Sequence, residues 1–290
     1  MDNRAQTSYP AMRTIMKLLA AGVVYLIITI IVQGFISPAI FGSTSSPANE
    51  IPDFGKKISP ILFITGITFA LFFSIFRNRM PGRTVLSRGL LFSLFVYFSN
   101  YFPQNLGISA MRYDGVNSAT LIQGLDYPSW ISDFIATAIT GIIIAALFKR
   151  TEESSDKPAR IPIRAVVIPA IVFPVCAFIA VSAGGMLVPD SNILNAAAQG
   201  AKAVNAAFFY GSFILTGAII AVFFITTSKG DRGFREAMRF VTQYFLLIWT
   251  PVVCVMLVLG SPVTGVLMFL LESFLSLTAT VLVTARLSRS

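Results

Sequence analysis

Residues Val263–Ala285, "VTGVLMFLLESFLSLTATVLVTA", contain a single ionisable side chain, Glu272. A helix rises ~1.5 Å per residue, so this run reaches about 35 Å. The hydrocarbon core of a bilayer is ~30 Å thick. The stretch therefore reads as a membrane-crossing helix with a carboxylate deep inside it. What surrounds it decides what that carboxylate is for.

Of the 290 residues, 55% are hydrophobic and only 12% are charged. Soluble domains carry about 25% charged residues, so water is not this chain's only solvent. The formal charge of +9 would suggest nucleic acid in a soluble protein. In a membrane protein, Lys and Arg first have to be located relative to the bilayer. There is no histidine, which removes the commonest general base and metal ligand. Cys176 and Cys254 lie in apolar runs and read as small buried hydrophobes. No metal site or cofactor is expected.

Eight apolar runs can be drawn, at 18–36, 58–76, 84–102, 129–148, 165–188, 204–227, 240–260 and 263–285. The first is longer than the apolar core of a signal peptide and reads as an uncleaved helix. Pro81-Gly82 marks a break before the third, and Gly260-Ser261-Pro262 a tight hairpin before the last. The expected fold class is an all-α integral membrane protein with eight transmembrane helices.

The basic residues test that count. The N-terminus, the loops after runs two, four and six, and the C-terminus hold 18 Lys and Arg. The other side holds four: Lys56, Lys57, Arg112 and Lys202. This is a strong positive-inside bias, so both termini are expected in the cytoplasm of a multi-pass inner-membrane protein. The basic loops then face anionic lipid headgroups, and nucleic acid is not an expected partner. Pro103–Pro128 is the longest outer loop, and Trp130 falls where an interfacial aromatic belt would put it.

The chain divides into a four-helix half at 1–150, a cytoplasmic linker at 151–164 and a second four-helix half at 165–290. Each half begins inside, so any internal repeat is parallel rather than inverted. Run three closes on "VYFSNYFP" (Val96–Pro103) and run seven carries "YFLLIWTP" (Tyr244–Pro251). Aligning Asp133 with Glu272 puts Thr137 on Ser276 and Arg150 on Arg289.

At about 100° per residue, Glu272 shares a face with Gly265, Met268, Phe269, Ser276 and Ala279. Val266, Leu267, Leu270, Phe274, Leu277 and Val281 form the opposite face. Small and hydroxyl residues suit close helix contact, so Glu272 is expected to point into the bundle. Arg286 is fourteen residues away, about 21 Å along a helix. A carboxylate at that depth must be neutral, paired or facing water. Lys202, Arg112 and Arg88 are the cations that could pair with it. Gln33, Asn100, Asn205 and Gln243 are further intramembrane polar residues.

The sequence has no P-loop, no H-E-x-x-H and no G-x-S-x-G, and no enzyme is expected. The expected function is transport by a secondary transporter or permease-like protein. Its candidate substrate or ion site is Glu272, Asp133, Ser276 and Thr137. The alternative is a non-enzymatic scaffold or anchoring subunit of a larger membrane complex, with partner proteins held by loops or helix faces.

Overall fold

The computed structural model describes residues 5–41, 53–103, 127–149, 161–187, 203–228, 232–258 and 263–289. Among them there are helices and no strands. The first helix, α1, runs Ala5–Ile31, widens into a π turn at Val32–Ile36 and continues Ser37–Phe41. Next come α2 (Phe54–Phe76), α3 (Val85–Val96 with a π turn at Tyr97–Tyr101) and α4 (Tyr127–Leu147). The second part of the chain forms α5 (Arg164–Leu187), α6 (Ala203–Thr227), α7 (Phe234–Tyr244, π turn Phe245–Trp249, Thr250–Val258) and α8 (Val263–Leu287).

Among the described residues, five stretches are long and apolar enough to cross a membrane: Ala11–Phe41, Gly55–Phe76, Trp130–Leu147, Phe234–Val258 and Val263–Leu287. Shorter apolar stretches lie in α5 (Arg164–Ala180) and α6 (Gly211–Thr227). The length and apolar composition of these helices suit a membrane-embedded helical protein. The outer loops, the 151–160 part of the linker and the 260–262 hairpin lie outside the described residues.

Local chemistry explains the boundaries. Gly82 has a φ of 111°, open to glycine at little cost. Thr84 then caps α3: its hydroxyl accepts from the Ser87 N–H at 3.1 Å, and the Ser87 hydroxyl accepts from the Thr84 N–H at 3.1 Å. Proline accounts for the three π turns. Pro38, Pro103 and Pro251 each lie two residues beyond the end of one. A proline has no N–H for the carbonyl four residues back, and a widened turn is one way a helix absorbs that loss. Gly184-Gly185 lie within the last turn of α5.

The helices pack in a regular plan. α1 packs on α2 and α4, and α3 on α4. α5 packs on α6 and α8, and α7 on α8. Between these groups α2 meets α7, and α3 meets α6. The centre is filled by rings. Phe95 stacks on Phe223 at 3.7 Å, Phe72 on Phe223 at 5.9 Å, and Phe76 meets Phe240 at 5.8 Å.

Exposed faces are apolar: Leu19, Val23, Ile27 and Ile30 on α1, Val167, Ile171, Val175 and Phe178 on α5, Leu267, Leu271 and Leu275 on α8. On α8, Val266, Leu277 and Val281, from the apolar face opposite Glu272, are buried against neighbouring helices. The outward stripe is Leu267, Leu271 and Leu275, because α5, α6 and α7 together wrap more of α8 than a single neighbour would. Cys176 and Cys254 are only half-buried, for their helices turn partly outward there.

Candidate functional site

Charge separates along the bundle. Lys17 of α1 sits over the Phe148 ring at 5.6 Å. Arg79 pairs with Glu236 at 2.6 Å and also donates to the Thr227 carbonyl at 3.3 Å. Arg232 donates to the Ser288 carbonyl at 2.8 Å, and Arg289 donates back to the Arg232 carbonyl. These contacts gather Lys17 of α1, the ends of α2, α4, α6 and α8 and the start of α7 at one basic end. Asp133 and Glu272 lie toward the other end of α4 and α8, sixteen residues before Lys149 and fourteen before Arg286.

On α4, Asp133 accepts a hydrogen bond from Gln33 Nε2 at 2.7 Å. Gln33 belongs to the π turn of α1. The Tyr25 hydroxyl of α1 hydrogen-bonds the Tyr101 hydroxyl, which closes the π turn of α3. The Phe69 ring stands between them, 5.7 Å from Tyr25 and 6.2 Å from Tyr101. Tyr97 donates to the Trp130 carbonyl at 3.1 Å. Thr137 is buried; its carbonyl accepts from Ser93 at 2.9 Å, while its hydroxyl has no described partner.

On α8, Glu272 is 7% exposed and points into the bundle as expected. No described side chain hydrogen-bonds it or pairs with it. Arg88 is not its partner: it is buried at the start of α3 and donates to the Thr84 carbonyl at 3.4 Å. Lys202 and Arg112 lie outside the described residues. One turn on, a hydroxyl ladder ends. Thr284 donates to the Thr280 carbonyl and Thr280 to the Ser276 carbonyl, each at 2.7 Å. The Ser276 hydroxyl is buried and has no described partner.

The four expected site residues thus form two pairs on two helices. Asp133 with Thr137 lies against α1 and α3; Glu272 with Ser276 lies against α5, α6 and α7. The two helices also share a pattern of burial. Ser132, Ala136, Thr140, Ile144 and Ala145 of α4 are buried in step with Glu272, Ser276, Thr280, Thr284 and Ala285 of α8. Glu272 matches Ser132 in that register, and Asp133 matches Ser273.

Sequence reasoning missed Trp249. It closes the π turn of α7, as Tyr101 closes that of α3. Its ring meets Phe269, one turn before Glu272, at 5.1 Å. Its indole N–H is buried without a described partner. The signal was present in the two aromatic octets closing on Pro103 and Pro251. Of the other polar residues, Asn100 is buried and Gln243 half-buried, while the Asn205 side chain lies outside the described residues.

Among the described residues no cluster of three His, Cys, Asp or Glu could hold a metal ion. No family model matches the chain, and neither a curated protein nor a solved structure matches it.

Proposed function

We propose that this chain is a membrane transporter made of eight spans in two parallel four-helix halves, each half carrying one acid in an otherwise apolar layer. Four correspondences support the repeat. "ITGITFALFF" (Ile64–Phe73) matches "LTGAIIAVFF" (Leu215–Phe224) at Thr, Gly, Ala, Phe and Phe. A methyl on Gly66 would meet the Ala21 oxygen, the Gly22 Cα and the Tyr25 Cβ. One on Gly217 would meet the Pro169 oxygen, the Ala170 Cα and the Phe173 Cβ, the same three atoms of α5. The π turns of α3 and α7 correspond, as does the helix-packing plan. The alternating basic ends support an orientation with both termini cytoplasmic.

The observation that carries the transport reading is Glu272, a buried acid without a described protein partner. A burial of that kind is costly for a structural role and useful for holding a charge that comes and goes. The π turns beside both acids favour the same reading, since such turns collect at functional sites. The rings between the halves close the basic end, and the acids stand beyond them.

Liposomes with the purified protein and an internal pH dye test this. A proton gradient should collapse faster than in empty liposomes when a mixed extract of small solutes is added outside. Glu272→Gln should abolish the difference. Liposomes no leakier than empty ones, together with a protein partner that always co-purifies, would replace this reading with an anchoring subunit.

A further inference from the structure

We infer that the α7–α8 site takes a small protonated amine that also carries an oxygen acceptor. This rests on the proposed transport reading and names the substrate class of its second site. Two buried polar groups there have no described partner, the Ser276 hydroxyl and the Trp249 indole N–H, and Glu272, itself buried, has none either. Phe269, Glu272 and Ser276 are three and four residues apart, hence on one face of α8. The Trp249 ring meets Phe269 at 5.1 Å, beside the turn that carries Glu272.

Unsatisfied buried polar groups are rare in native structures. Here they form a complementary set. Glu272 accepts and supplies negative charge; Trp249 can only donate; Ser276 does either. A ligand that satisfies all three needs a cationic N–H donor and an acceptor oxygen.

An inorganic cation fits poorly. Alkali and alkaline-earth ions need a cage of oxygens, and this face offers one carboxyl and one hydroxyl between aromatic rings. Those rings suit an ammonium, whose charge is attracted to their faces. An anion is disfavoured by Glu272, because the described arginines gather at the basic end. From Glu272 to Ser276 is about 6 Å along the helix, the scale of a two-carbon amino alcohol.

The test uses ethanolamine. The chain has two tryptophans, so Trp130→Phe leaves Trp249 as the sole reporter. In lipid nanodiscs, ethanolamine should change Trp249 fluorescence saturably. Ethylamine, which lacks the oxygen, should bind about tenfold more weakly, the loss of one hydrogen bond near 1.4 kcal/mol. Sodium chloride should have no effect. Glu272→Gln should abolish the change, with an unaltered elution profile and melting curve as the check on folding; should it misfold, Ser276→Ala should weaken ethanolamine but not ethylamine. A response to sodium equal to that for ethanolamine, or one unchanged in both variants, overturns the inference. Glu272-dependent proton flux without amine binding sinks this inference and spares the transport reading. Amine binding without flux does the reverse.

Discussion

Gly66 of α2 lies so close to Gly22 of α1 that a methyl group on it would stand 2.7 Å from the Ala21 carbonyl oxygen and 2.8 Å from the Gly22 Cα. The helices can approach this closely only because neither residue has a side chain at the crossing. Without a hydrophobic force between helices in lipid, such backbone contact is a main source of association.

Substituting Gly66→Ala or Gly217→Ala should therefore separate a helix pair and destabilise the protein by about 1–3 kcal/mol. Gly211→Ala, with open space around it, should be neutral or slightly stabilising. Thermal unfolding in detergent reads all three. Equal melting temperatures would show that the crossings tolerate a methyl group.

The Tyr25–Tyr101 hydrogen bond links α1 to the π turn of α3. Either Tyr→Phe change should cost about 0.5–1.5 kcal/mol. The double variant should cost little more than one, because both remove the same bond. A strictly additive double variant would show that the hydroxyls act separately.

At the basic end, Arg79 and Glu236 are 20% and 21% exposed. Solvent screens such a pair, so Glu236→Gln should cost no more than about 1 kcal/mol. Arg79→Ala should cost more, because Arg79 also holds the Thr227 carbonyl. Exchanging the two charges should recover part of the loss in a double-mutant cycle measured by chemical unfolding.

Water access to the α8 site can be read directly. In a Cys176→Ala, Cys254→Ala background, Ser276→Cys should react with a charged, membrane-impermeant thiol reagent, since only a hydrated thiol ionises readily. Leu271→Cys, on the outward apolar stripe, should not. The opposite order would make Glu272 interhelical glue.

The helix positions were legible because apolar length is a strong signal: the run drawn at 204–227 is Ala203–Thr227, and that at 263–285 is Val263–Leu287. The inward aim of Glu272 was legible from its small and hydroxyl neighbours. The burial pattern of α4 was not. The two acids invite comparison, yet Ser132 is buried like Glu272 while Asp133 is half-buried. Single residues on apolar helices carry little phase information, while a packed interface fixes phase to within one residue. Trp249 stayed hidden for a related reason. Nothing in "YFLLIWTP" says that its helix widens or which neighbour the indole meets.

The three π turns bear on how this chain can vary. Each holds one residue more than a regular helix needs, and each residue of a helix turns the next by about 100°. Deleting one residue from Phe245–Trp249 would rotate everything beyond it by that angle against everything before. Phe240 and Tyr244 would stay buried, while Trp249 and Pro251 would swing off the seam they now occupy. Length at these points is thus a setting of aim. A one-residue deletion in the middle of an apolar run, invisible to any measure of hydropathy, would leave the helix in the bilayer and point its only indole away from the acid.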